Sequence, residues 1–135
     1  MTTKEYLSQA FVLDKRLQTK QRRLEWLKNR ASYVSANLHE AVQSSPSHRS
    51  AVEEAVVRII SLEEEIANDI SRIVQLKQEI ASAIRRVNNI ECETLLEMRY
   101  LSFLRWEEIA SQLNYSQGHV YHLHRRALGL VKIGA

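Results

Sequence analysis

The chain has 135 residues, 44% of them hydrophobic and 26% charged, with a net charge of +3; this excludes a compositionally disordered chain, and no apolar run reaches the ~20 residues needed to cross a bilayer. Aromatic residues make up only 7%, and three glycines and one proline leave little material for turns, which predicts an all-α fold of a few long helices. A single cysteine, Cys92, excludes an internal disulfide framework, and the opening MTTKEYLSQAFVLDKR lacks the basic-then-apolar layout of a secretory signal, so a cytoplasmic protein with no membrane association is expected.

Charge is unevenly placed along the chain. Residues 1–45 carry eight Lys/Arg against four Asp/Glu, residues 46–93 carry six against nine, and residues 94–135 carry five against three. A basic segment followed by an acidic one predicts two helices that pair with each other. Heptad series point the same way. In the first segment one position reads Ala10, Leu17, Leu24, Ala31, Leu38, and the position three residues on reads Leu13, Lys20, Leu27, Val34, Ala41. Lys20 interrupts it, and a lysine stem can carry its ammonium out of an apolar seam. In the second segment one position reads Val52, Ile59, Ile66, Ile73, Ile80, Val87. Its companion reads Ala55, Leu62, Asp69, Leu76, Ala83, with Ile70 and Ile84 widening the stripe. A repeat held this long keeps an apolar face toward a partner helix, the condition for a coiled coil.

Between the two series, QSSPSHRS at 43–50 holds the lone proline, Pro46, and is expected to form a short loop. Ser50 would cap the next helix, with Glu53 completing a capping box. Two seams of similar length joined by a short loop predict a long antiparallel coiled-coil helical hairpin, each arm ~60 Å long at ~1.5 Å per residue. Such a hairpin leaves part of its stripe uncovered, so a homodimer is expected. The basic run at 15–30, KRLQTKQRRLEWLKNR, can pair with the acidic second arm, contact DNA flanks or meet an acidic partner; the charges favour the pairing. Glu63-Glu64-Glu65 reads as a solvated face. Cys92, between Glu91 and Glu93, has no neighbouring cation in sequence to activate its thiol. The heptads stop at Asn88-Asn89, residues suited to a turn or cap. The domain boundary is placed there, with the hairpin over 1–89 and a compact domain over 90–135.

The last segment carries the functional signal. A short apolar helix (Leu95, Leu96, Met98, Leu101) precedes a second, Trp106 to Leu113, with Glu107 and Glu108 in its first turn, where the helix dipole favours acids. Asn114-Tyr115 makes a tight turn, Asn being a common left-handed residue. Ser116 then caps a third helix, 116–131. Val120, Leu123, Ala127, Leu128 and Val131 form its apolar face, and Gln117, His119, Tyr121, His122, Arg125 and Arg126 project away from it. That outer face holds donors, flat rings and guanidinium groups without an acid. Arg suits phosphates, and hydrogen-bonding or planar side chains suit base edges in a major groove. Ser116, Gln117, His119, Tyr121, His122, Arg125 and Arg126 are therefore the candidate DNA-binding residues. Trp26 and Trp106 read as packing residues and not as ligand platforms; Trp106 is expected to anchor the first helix of this segment to the third, and Ala110 and Gly118 to let the second and third cross closely.

Residues RYLSFLRWEEIASQLNYSQGHVYHLHRRAL resemble region 4 of sigma-70-type factors. The matching positions are Arg99-Tyr100, Glu108-Ile109-Ala110, Leu113, Ser116, Val120 and Ala127-Leu128. Arg105 stands where that family usually has a Ser or Thr cap, and Asn114 where it usually has Gly. A long helical half before such a segment is also similar to the small sigma-like regulators of Gram-positive phages, including ArpU-type late regulators. The resemblance implies a helix-turn-helix from about Leu95 to Val131, a transcription regulator bound to double-stranded DNA, and RNA polymerase as a partner.

Two other readings fit the same layout: a packaging adaptor of the small terminase subunit type, and a coiled-coil interaction protein whose last helices only cap the bundle. The sequence has no nucleotide-binding glycine loop, nucleophile motif or metal-ligand spacing, so neither an enzyme nor a cofactor is expected. His119, His122 and His124 have no nearby Cys, and His124 is rotated away from the other two, which argues against a metal site.

Overall fold

The computed structural model describes residues 1–40 and 46–133, without the side chains of 34–40 and 46–48. Among these residues there is no strand; the elements are α1 (Thr3–Leu7), α2 (Gln9–Glu40), α3 (Pro46–Arg85), α4 (Ile90–Tyr100), α5 (Trp106–Leu113) and α6 (Gln117–Leu130). None of the helices is long and apolar enough to cross a membrane. The all-helical class expected from the scarcity of Gly and Pro is what forms.

The start of α3 differs from expectation. The helix begins at Pro46, so Ser50 is an exposed residue inside it and cannot be its cap. Proline is tolerated in a first turn because its missing N–H would have no intrahelical partner there. Residues 43–45 of the expected loop, Ala41, and the seam side chains of Val34 and Leu38 lie outside the described residues. At the other end, Ser8 separates α1 from α2, its hydroxyl donating to the Lys4 carbonyl at 2.6 Å. A serine that bonds back to the preceding turn competes with the helix.

The chain forms two compact units, Lys15–Ser71 and Met1–Asp14 with Arg72–Ala135. In Lys15–Ser71 the buried positions are those of the heptad seam: Leu17, Leu62 and Ile66 are buried, and Leu24, Leu27, Ala31, Val52, Ala55 and Ile59 are half-buried. Ile70, expected to widen the stripe, is instead 44% exposed. Lys20 and Asp69, the two polar interruptions of the seam, meet at 2.8 Å with 16% and 22% of their side chains exposed. Around them Lys20 and Arg23 reach Glu65 at 3.8 and 3.9 Å, and Lys28 reaches Glu63 at 4.0 Å. Residue numbers rise along α2 as their partners' numbers fall along α3, so here the helices run antiparallel.

The second unit is built on one core. Leu7 and Ala10 share it with Leu76, Ile80, Ala83 and Ile84 of the α3 end, with Val87 just beyond it, and with Cys92, Leu95, Leu96, Tyr100, Ile109, Ala110, Val120, Leu123, Ala127 and Val131. Each large apolar side chain buried in this way contributes about 1.5–3 kcal/mol. The helix does break at Asn88-Asn89: Asn88 takes φ 56°, and the Asn89 side chain caps α4 by accepting from the Cys92 N–H at 3.1 Å. The core nevertheless runs through that break, which is why the compact units divide at 14/15 and 71/72 and not at residue 89.

His124 is the polar member of this core. A 2.6 Å hydrogen bond joins its Nε2 to the Tyr100 hydroxyl, and the two rings stack with centroids 5.8 Å apart. Burial pushes the Tyr100 pKa up to about 12. Burial, helped by Lys4 and Arg99, lowers that of His124 to about 4. Among the described residues no buried side-chain nitrogen or oxygen lacks a partner.

Two outcomes are expected. Lys20→Met leaves Asp69 facing the seam alone and should cost about 1–3 kcal/mol, whereas Lys20→Met with Asp69→Leu should return to within about 1 kcal/mol of the parent chain. Urea unfolding of the double-mutant cycle measures this, and a harmless single substitution would show that the pair is solvated. For His124 the folded-state pKa is depressed from 6.5 to about 4, so between those values the unfolded chain binds more protons. Its contribution is whole above about pH 6.5 and declines toward pH 4, by on the order of 3 kcal/mol. Thermal melts should show that decline flattened when Tyr100→Phe and His124→Phe are combined; an unchanged pH profile would assign it to other groups.

Candidate nucleic-acid interface

The three C-terminal helices are set by their ends. α4 closes at Leu101, whose N–H and that of Ser102 both donate to the Glu97 carbonyl at 3.0 Å. Phe103 then takes φ 59°, a left-handed value unfavourable for a residue with a bulky side chain. The turn is held by Leu104 N–H donating to the Met98 carbonyl at 3.0 Å and by the Arg99 guanidinium donating to the Leu104 carbonyl at 3.0 Å. α5 starts at Arg105 with no side-chain cap. Arg105 instead donates to Glu108 at 2.8 Å, and this contact holds the Glu108 carboxyl below the usual carboxylate range. Asn114 ends α5 at φ 57°, ψ 41°, the left-handed conformation expected for it, and the Tyr115 N–H donates to the Ala110 carbonyl at 3.0 Å.

Trp106 holds these elements together. The Arg99 guanidinium of α4 lies 4.4 Å from its ring centroid, and the His124 and Tyr121 rings of α6 meet it edge-on at 4.6 and 5.5 Å. The indole thus touches both the first and the third helix of this segment, as expected, through a cation–π contact and two T-shaped ones.

α6 has one buried face, formed by Val120, Leu123, His124 and Ala127. Its other face exposes Gln117, His119, Tyr121, His122, Arg125 and Arg126. At 3.6 residues per turn, Gly118, His122, Arg125 and Gly129 line the middle of that face, with Gln117 and Tyr121 on one flank and His119 and Arg126 on the other. Ser116 caps the helix: its Oγ accepts from the His119 N–H at 3.2 Å, so its first task is structural. Neither Arg125 nor Arg126 has an ion-pair partner among the described residues, while one edge of Tyr121 is seated on Trp106.

Three sequence-based readings need correction. A Cβ built on Gly118 meets nothing within 4 Å, so this glycine does not serve a close helix crossing; Ala110, which is buried, faces the core. The outer face is also not isolated from acids. Glu91, from the first turn of α4, accepts from the Tyr115 hydroxyl at 3.0 Å and lies 3.9 Å from His119 Nε2; the Tyr115 ring packs edge-on against His119 at 4.3 Å. The bond to Glu91 raises the Tyr115 hydroxyl above the ordinary tyrosine range. Tyr115 lies before the Ser116 cap, outside α6, and nothing in the sequence pairs it or His119 with Glu91. Lastly, Cys92 does feel a cation, Arg126, but burial outweighs it and the thiol pKa is raised. The cysteine is inert packing.

The interface therefore offers guanidinium groups, imidazoles, an amide and a phenol on a single helix that itself carries no carboxylate. Among the described residues no group of three or more His, Cys, Asp or Glu is placed to hold a metal ion.

No curated protein and no solved structure matches the chain. Residues 33–131, which include all of α4, α5 and α6, match the family described as "Protein of unknown function (DUF1492)", and the chain belongs to that family.

Proposed function

We propose that the protein is a DNA-binding transcription regulator, in which α5, the Asn114 turn and α6 act as a helix-turn-helix and α6 reads the major groove of double-stranded DNA. The observation that carries this reading is the two-sidedness of α6. One face is locked into the core by Val120, Leu123, His124 and Ala127, and the other presents Arg125, Arg126, His122 and Gln117 to solvent. A helix that only capped a bundle would have no use for an outer face that carries two arginines and no carboxylate of its own. Arg125 and Arg126 hold phosphates, and Gln117, His119, Tyr121 and His122 face base edges. The likeness of residues 99–128 to sigma region 4 supports the same assignment, with RNA polymerase as a partner and a phage or prophage as the source. The paired seams of α2 and α3 act as an antiparallel coiled-coil hairpin. Exposed Val56, Ile60 and Ile70 on α3 favour self-association into a homodimer.

Fluorescence anisotropy on a duplex selected for binding, and on a random one, tests the roles. Arg125→Ala with Arg126→Ala should weaken both duplexes and reduce the salt slope by about 2, since each lost phosphate contact removes ~0.9 of slope. Gln117→Ala should weaken the selected duplex by about 1–3 kcal/mol and leave the random one unchanged. If every substitution acts equally on both duplexes with no change of slope, α6 is not the reading helix.

A further inference from the structure

The reading of α6 leaves a second surface unexplained, within Lys15–Ser71. Arg22, Trp26, Arg30 and Tyr33 recur along α2 at spacings of three and four, so they share one face. All four are exposed, with Trp26 at 60% and Tyr33 at 65%. The seam-side lysines Lys20 and Lys28, which pair with acids of α3, lie away from that face. The Arg30 guanidinium stands 5.8 Å from the Trp26 ring centroid. Beside Trp26, a groove of about 450 Å³ opens between α2 and α3, with Leu27, Leu62 and Val57 as its apolar lining and Arg58 among its cations. The one carboxylate in that lining, Glu65, is already approached by Lys20 at 3.8 Å and Arg23 at 3.9 Å.

These features together select a ligand. An indole left largely in water beside an apolar groove offers a stacking surface, and the surrounding guanidinium groups demand an anion. A duplex satisfies the second requirement only, because its base faces are hidden in the stack. An unpaired strand satisfies both, since every base has a free π-face and every link a phosphate. We propose that the Trp26 groove and the adjoining face of α2 bind single-stranded nucleic acid. A base stacks on Trp26 above Leu27, Leu62 and Val57, and Arg22, Arg30 and Arg58 hold the flanking phosphates. Tyr33 lies two turns further along α2, about 10 Å away at ~1.5 Å per residue, and offers a second ring to the same strand. The site stands independently of the role given to α6.

The test uses the full chain and labelled short oligo-dT, oligo-U and a duplex, read by anisotropy. Trp26→Ala should weaken single-strand binding about tenfold to a hundredfold, and Trp26→Phe should keep it within about threefold of the parent, because stacking tolerates any aromatic ring. Trp26 is exposed, so circular dichroism of both variants should match the parent. Arg125→Ala with Arg126→Ala should spare single-strand binding even as it weakens duplex binding, which separates the failure of one site from that of the other. Binding of oligo-dT, oligo-U or both supports the site, and their ratio says which strand it takes. The proposal is overturned if neither oligomer binds, or if Trp26→Ala binds as the parent does. It is equally overturned if a poly-glutamate peptide displaces oligo-dT as well as unlabelled oligo-dT does, for the face would then read charge alone.

Discussion

Three backbone positions set the directions of the last three helices, and none of them is a glycine. Asn88, Phe103 and Asn114 take φ of 56°, 59° and 57° at the turns before α4, α5 and α6. Asparagine enters the left-handed region at small cost, but for a phenylalanine it costs on the order of 1–3 kcal/mol and persists only where surroundings over-determine it. Those surroundings are present. The Phe103 ring meets Phe11 edge-on at 5.5 Å, Lys77 Nζ lies 4.6 Å from its centroid, and the backbone on either side is pinned to α4. A chain so poor in glycine makes its sharp turns by using side-chain contacts to hold the strained residue in place.

From those turns follows the division of α6 into a packed face and a free one. Trp106 can wedge between Arg99 and His124 only because α5 leaves α4 in the direction that Phe103 dictates. His124 can be buried only because Tyr100 supplies a hydrogen bond that replaces water. The outer face pays no such packing constraint, and its chemistry is limited mainly by Glu91, which reaches its edge from α4. In Lys15–Ser71 the same logic is electrostatic. Two polar residues that would each disrupt an apolar seam neutralise one another at the register in which α2 and α3 pair.

Much of this was legible in the sequence because it rests on periodicity and local backbone preference. The heptads located the buried positions of α2 and α3 within the described residues, apart from Ile70. The caps at Asn89 and Ser116 and the left-handed Asn114 follow from residue type alone. What was not legible depends on residues brought together across the chain. Lys20 and Asp69 each looked like a flaw until the register of α2 on α3 placed them opposite one another. Phe103 gives no local sign of a left-handed conformation, since its stabilisation comes from Phe11 and Lys77. The cluster of Glu91, Tyr115 and His119 needs the start of α4 to lie beside the start of α6. Pro46 breaks a helix at an interior position, but at the first position of α3 it starts one. Sequence patterns also divide a chain into consecutive segments, and so could not anticipate a compact unit made from two separated ones.

That discontinuous unit bears on how the chain reaches its native state. Leu7 and Ala10 belong to the same core as Cys92, Val120 and Ala127, at sequence separations on the order of 80 residues or more. During synthesis the apolar face of the first helices emerges long before the residues that will cover it, and closing so large a loop is an entropic barrier that local helix formation does not relieve. The pairing of α2 with α3 requires shorter-range closure and can form first. Once it has formed, the chain left to close between Leu7 and Ile80 is no longer a free loop, and the entropic cost of that closure falls. Damage to the register of α2 on α3 would then surface as slow or incomplete assembly of helices that contain none of the altered residues.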